Sequence, residues 1–250
     1  MRSVAAALAV LEAVSENQPA GVSELARALG LPKSTTHRML ATLSDLGWIR
    51  ATDDAPTRWL ITSKASAIGS RLQPAQELRA AVVPVMRELS AATGETIHFS
   101  VPDQRWIVLI DKVEGENEVR TTAAIGHRAP AHATSAGQAV LAALPESVCR
   151  TLLSAAPLEA LTPKTVVDLD ELMAELAVVR ERGYARCLQG RHNDVAATGA
   201  AVLNSVGSPV GALSISMPVH RFPRRLWAGY GRLVMEAAAS CSAYPGIGGR

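Results

Sequence analysis

The sequence predicts an α+β chain in two parts: a small helical N-terminal part ending in a β-hairpin, and a larger part that mixes strands with helices. Three observations predict it. Apolar residues recur with helical period as far as Leu46, and the stretch at 48–61 then breaks into two short strand-like runs around a polar turn. From Glu95 onward, runs rich in β-branched and aromatic residues alternate with helical stretches.

Val4, Leu8, Leu11 and Val14 set a first helix at about 3–15, ended by the polar Glu16-Asn17-Gln18-Pro19. A short second helix is expected from Ser23, read as its cap, with Glu24 near its positive end and Gly30 as the left-handed residue that stops it. Pro32 suits the first turn of a third helix, which runs through Leu46 and is stopped by Gly47. Trp48-Ile49-Arg50 and Arg58-Trp59-Leu60-Ile61, separated by Asp53-Asp54-Ala55-Pro56, then read as a hairpin.

The third helix carries the chemistry of this part. Thr36, Met39, Leu40 and Leu43 gather on one side, and Ser34, Thr35, His37, Arg38 and Thr42 on the other. A short polar and basic face of this kind can enter a major groove, with Arg38 donating to a guanine edge and Lys33 neutralising phosphate near the helix start. A solvated face on an ordinary helical hairpin is the alternative. Three helices, a tight Gly30-Leu31 turn and a hairpin bearing Arg50 and Arg58 together favour the first reading, because they make the connected unit of a winged helix-turn-helix over residues 1–62.

Residues 63–93 read as a helical connector, Ser63 to Gly69 and then Pro74 to Thr93, the latter with Leu78, Val82, Val85 and Leu89 at helical spacing. Residues 94–250 form the larger part. Strands are expected at Thr96–Val101, Trp106–Ile110, Val195–Leu203 and Val210–Met217, the last two as an antiparallel pair. Helices are expected at Ser135–Leu144, Glu146–Leu153, Asp168–Arg182, closed by Gly183, and Pro223–Ser242.

Composition narrows the function classes. With 48% hydrophobic residues the 250-residue chain can bury one large core or two smaller ones, and a net charge of +2 signals nucleic acid only weakly. Cys149, Cys187 and Cys241 are an odd, widely spaced set without CxxC, which argues against a disulfide framework or zinc cluster and fits a reducing cytoplasm. No uncharged apolar run reaches the length of a membrane span. GxSxG and HExxH are absent and the six histidines stand singly, so neither an enzyme nor a resident cofactor or metal is expected. His127, His132 and Cys187 converging in space would be the one route to a metal.

Val22-Ser23-Glu24-Leu25-Ala26, Leu29-Gly30-Leu31-Pro32-Lys33-Ser34-Thr35-Thr36-His37-Arg38-Met39-Leu40 and Leu46-Gly47 resemble the winged helix-turn-helix of IclR-type transcriptional regulators. The similarity resumes at Thr93-Gly94-Glu95-Thr96, Asp111-Lys112-Val113, Gly126-His127-Arg128-Ala129-Pro130-Ala131-His132-Ala133, Arg182-Gly183-Tyr184 and Gly211-Ala212-Leu213-Ser214-Ile215-Ser216, covering nearly the whole chain. The resemblance implies that Lys33, Ser34, Thr35, His37, Arg38 and Thr42 contact double-stranded operator DNA, with Arg58 on the wing. It implies a GAF-like or profilin-like α+β fold from about residue 75, with a pocket for a small-molecule effector of the organic or aromatic acid kind. Carried over through the matching motifs, that pocket is lined by Thr121, Ala129, Ser135, Ala136, Val195, Ala197, Ser214 and Ser216.

Read without the resemblance, Ser135 is a simple helix cap, and Ser214 and Ser216 are one face of a strand. Departures fall at Gln189-Gly190, Asp194 and Ala201, where acidic residues, glycine and later a proline are common in the family, and at Gln138, where lysine is frequent. Arg191 and His192 can contact an anionic effector or belong to a solvated loop, and Cys187 can line the pocket or be an inert buried side chain. One winged helix reads few base pairs, so a homodimer or a dimer of dimers is expected. The rival reading is a metabolite-binding module that acts through protein contacts instead of DNA.

Overall fold

The computed structural model describes residues 2–69 and 73–243. The chain divides into two compact units, Met1–Gln73 and Pro74–Arg250.

In the first unit, α1 (Arg2–Asn17), β1 (Ala20–Gly21), α2 (Val22–Ala28), α3 (Lys33–Asp45), β2 (Ile49–Ala51), β3 (Arg58–Ile61) and α4 (Ser63–Gly69) follow one another. The strands form an antiparallel sheet in the order β1-β3-β2. Val10, Val14, Leu25, Leu40, Leu43, Ile49 and Trp59 make its core. Thr36 is fully buried beside them, which its hydroxyl tolerates by donating to the Pro32 carbonyl at 3.2 Å.

Two local expectations are corrected. The cap of α2 is Gly21, not Ser23: β1 carries the chain extended as far as Gly21, which pairs with Arg58, so the helix starts at Val22 and Ser23 already lies in its first turn. Glu24 reaches back to accept the Gly21 N–H at 3.0 Å. Pro32 caps α3 instead of occupying its first turn, with φ −58° and ψ 137°. Gly30, at φ 62°, makes the left-handed step between α2 and α3 that a side chain would strain.

The second unit contains α5 (Gln73–Thr93), β4 (Thr96–Asp103), β5 (Trp106–Val113), β6 (Arg128–Pro130), α6 (Ser135–Ala143), α7 (Glu146–Ser154), α8 (Leu169–Arg182), β7 (Ala185–Leu188), β8 (Val195–Leu203), β9 (Pro209–Pro218) and α9 (Trp227–Ser242). Its six strands form an antiparallel sheet ordered β6-β5-β4-β9-β8-β7, so β4 pairs with a strand more than a hundred residues away. The expected β8–β9 pair is present. Strands β6 and β7 had not been expected, and α9 starts at Trp227, after a short 3₁₀ turn at Arg224–Leu226.

Alternation along the strands splits the sheet into two faces. Ile97 and Phe99 of β4, Ala196, Ala200 and Val202 of β8, and Leu213, Ile215 and Met217 of β9 pack with Val82, Met86 and Leu89 of α5 and Val234 and Ala238 of α9. On the other side α6 lies over β8 and β9, and a second core joins it to α7 and α8 through Leu141, Cys149, Leu153, Leu172 and Leu176. Gly199 of β8 permits that approach: a Cβ there would stand 3.0 Å from the Ser135 carbonyl carbon and oxygen. Glu95, almost wholly buried, is held by a bidentate pair with Arg221 at 2.8 and 2.7 Å.

Candidate functional site

The outer face of α3 is built as its wheel predicts. Lys33, Ser34, His37, Arg38 and Thr42 are exposed and Thr35 is half-buried, while Leu40 and Leu43 anchor the opposite side. The Thr42 hydroxyl donates to the Arg38 carbonyl at 3.0 Å, so outward it offers its methyl group and an acceptor oxygen. Arg58 stands apart from this set. Its Nη1 donates to the Pro19 carbonyl at 2.8 Å, and the guanidinium spans both Glu24 carboxylate oxygens at 3.3 and 3.2 Å. The Gly21 N–H, and after it the Arg58 charge, hold the Glu24 carboxyl below the usual range.

In the second unit, a cavity of about 700 Å³ opens on the sheet face that carries α6. All eight residues expected to line a pocket border it. Ser214 and Ser216 come from β9, Val195 and Ala197 from β8, Ala129 from β6, Ser135 and Ala136 from the first turn of α6, and Thr121 from the segment between β5 and β6. The Thr121 hydroxyl donates to the Ser216 oxygen at 3.0 Å and ties that segment to the sheet. Thr134, not Ser135, caps α6: its side chain accepts the Gly137 N–H at 3.0 Å, leaving Ser135 as the first helical residue, buried against the cavity.

A further part of the wall comes from the end of β7 and the loop that follows it. Cys187, Gly190, Arg191, His192 and Asp194 line the cavity there. The Arg191 guanidinium touches Nε2 of His127, burial lowers its proton affinity, and among the described residues no carboxylate lies within ion-pair distance of it. Burial and the Arg191 charge also lower His192. The Cys187 thiol donates to the Ala133 carbonyl at 3.2 Å, and burial pushes it up to about 11, which keeps it protonated. Gln138 uses its amide to donate to the His132 carbonyl at 2.9 Å.

His127, His132 and Cys187 do not form a metal site. His132 Nε2 lies 3.0 Å from the Glu159 carbonyl, and among the described residues no group of three His, Cys, Asp or Glu side chains is placed to hold a metal.

His98 and Ser100 of β4 and Ile107 and Leu109 of β5 also line the cavity and were missed. His98 Nε2 is enclosed and has no hydrogen-bond partner in the described structure. Burial, with Lys112 and Arg191 nearby, lowers its pKa to about 4, so the ring is neutral at pH 7. The alternation of His98 and Ser100 with Ile97 and Phe99 was legible, but its partnership with β9 was not, because register is set by the distant strand.

A helix-turn-helix unit with an exposed polar and basic helix, followed by a cavity-bearing α+β unit, is the architecture of a DNA-binding regulator with a second domain on the same chain. The family models agree. The IclR helix-turn-helix domain matches residues 3–53, and the bacterial transcriptional regulator IclR C-terminal domain matches residues 72–243. The chain is 34% identical over 251 residues to the transcriptional repressor IclR of Escherichia coli K12, covering 99% of this chain and 91% of that protein. The crystal structure of Thermotoga maritima IclR is 26% identical with a TM-score of 0.74, covering 97% of this chain and 98% of that one. An IclR homologue from Microbacterium hydrocarbonoxydans complexed with 4-hydroxybenzoate shares the fold at 23% identity and a TM-score of 0.78, covering 96% of this chain and 97% of that one.

The chain belongs to the IclR family and is a DNA-binding transcriptional regulator of that type. Its relatives include the acetate operon repressor of Salmonella typhimurium LT2 and the transcriptional repressor AllR of Escherichia coli K12. No helix among the described residues is long and apolar enough to cross a membrane.

Proposed function

We propose that the chain reads double-stranded operator DNA in the cytoplasm through Lys33, Ser34, Thr35, His37, Arg38 and Thr42 of α3, and that a small organic or aromatic acid in the cavity of the second unit changes its operator affinity. The observation that carries the effector reading is the convergence of eight residues, from five separate segments, on one cavity. Its lining suits an acid. Serine and threonine hydroxyls offer donors, alanines leave room, and the first amides of a helix such as α6 have no acceptor within the helix and favour an anion. Arg191, a half-buried cation without a carboxylate of its own, adds positive potential.

For the reader, support comes from the division of α3 into a buried apolar side and an exposed polar and basic side. Arg58 supports the wing as an internal tie to α2 more than as a contact to DNA. A homodimer, or a pair of dimers, supplies the two reading helices that a pseudo-palindromic site needs.

The test is a mobility-shift titration of the full chain on the upstream region of its own and neighbouring genes at moderate salt, repeated with saturating acids that raise its melting temperature. A shifted probe whose affinity changes with an acid is the expected result. An unshifted probe refutes the DNA reading, and an affinity insensitive to every stabilising acid refutes the coupling.

A further inference from the structure

We propose that His98 determines the ligand specificity of the cavity: its imidazole hydrogen-bonds an uncharged ligand oxygen, a hydroxyl or a carbonyl, so the cavity prefers hydroxy- or oxo-substituted carboxylic acids to their unsubstituted counterparts. This rests on the reading of the cavity as the effector site and adds to it a residue outside the set that the family motifs supply.

The placement follows from sheet register. His98 on β4 is the partner of Ser214 on β9, and Ser214 is the partner of Gly199 on β8. Partners across antiparallel strands share a face, so the three stand in one row on the cavity side. The row ends beneath α6, because a Cβ on Gly199 would stand 3.0 Å from Ser135 and 3.1 Å from the Ala136 amide nitrogen. His98 is therefore two strand spacings, roughly 10 Å, from the helix start that attracts an anion. A single ring or a short chain bridges that span, with its carboxylate at α6 and an oxygen at His98.

The chemistry of the imidazole points the same way. Its Nε2 is an enclosed polar atom without a partner among the described residues, the kind of group that native structures otherwise satisfy. A ligand oxygen in the cavity that the ring borders, met by a turn of the imidazole, removes that deficit. The ring is neutral, so it carries one donor and one acceptor and can serve either a hydroxyl or a carbonyl. Positive charge is already supplied by Arg191 and by the helix start, which leaves the imidazole to recognise the uncharged end of the ligand. A site built to hydrogen-bond a ligand group rejects the analogue lacking it, because its own polar atom is then left unpaired.

The experiment is isothermal titration calorimetry of the full chain with matched pairs: 4-hydroxybenzoate against benzoate, and 4-oxopentanoate against pentanoate. Expected for the wild type is a preference of about tenfold or more for the oxygenated member of at least one pair, one hydrogen bond's worth. In His98→Leu the ratio falls to about 1 because the oxygenated acid weakens, and in His98→Asn, which keeps a donor and an acceptor, part of it returns. If His98→Leu does not fold by circular dichroism, His98→Phe replaces it. A wild type that binds both members equally, or a His98→Leu ratio that is unchanged, overturns the assignment while the cavity reading stands. If none of the four acids binds the wild type, the organic-acid reading fails and this proposal with it.

Discussion

Acidification destabilises the second unit through His98, by an amount that follows from its surroundings. In the unfolded chain the imidazole takes up a proton near 6.5, whereas in the fold burial, and then the Lys112 and Arg191 charges, hold that event off until about pH 4. A depressed folded value means that the unfolded state binds the proton first, so stability is unaffected above pH 6.5, falls between 6.5 and 4, and levels below that. At about 1.4 kcal/mol per decade the whole loss is about 3 kcal/mol, of which about 2 kcal/mol is gone by pH 5. His132 and His192, also lowered by burial, act in the same direction, and Glu175, raised by burial, opposes them. The difference between wild type and His98→Asn isolates the single group. Urea unfolding of both full chains, followed by circular dichroism from pH 7.5 to 4.5, is the assay: the wild type should lose about 2 kcal/mol more than the variant by pH 5. Parallel pH curves for the two proteins, or an NMR titration of the His98 ring near 6.5, would refute the reasoning.

Other outcomes follow from the same structure. Arg38→Ala should abolish operator specificity with the fold intact, and Lys33→Ala should weaken all DNA alike and reduce the salt slope of binding by about 1; unchanged footprints and slopes would remove α3 from the interface. Arg58→Ala should leave the salt slope unchanged and cost less than about 1 kcal/mol of stability, since its partner Glu24 is exposed; a slope reduced by about 1 would instead make Arg58 a phosphate contact. Arg221→Ala should cost about 3–5 kcal/mol in urea unfolding because it strands the buried Glu95 carboxylate, and a loss under 1 kcal/mol would show that water reaches that charge.

The first unit was largely legible because its signals are local. Period 3.6 fixed α1 and α3, and the polar turn at 53–56 marked the hairpin. Only β1 escaped, two residues being too few to show alternation, and with it went the cap of α2. In the second unit the long strands announced themselves, but β6 and β7 are three and four residues long and acquire strand conformation by pairing with β5 and β8. The cavity was legible only through family likeness. Its residues lie on segments from His98 to His220 whose meeting depends on β4 pairing with β9, and nothing within either strand encodes that neighbour. His98 was hidden for this reason: its strand was visible, but the chemistry across from it was not.

The two-sided sheet gives this regulator an unusual latitude. On β4, β8 and β9, side chains that carry the weight of folding and side chains that line the cavity are next-door neighbours in sequence, yet a layer of backbone insulates one set from the other. Exchanging Ala197, Ser214 or His98 for a residue of another shape leaves the oily seam against α5 and α9 untouched. The shape and polarity of the cavity can thus be altered by a few replacements on one face, without disturbing the packing on the other.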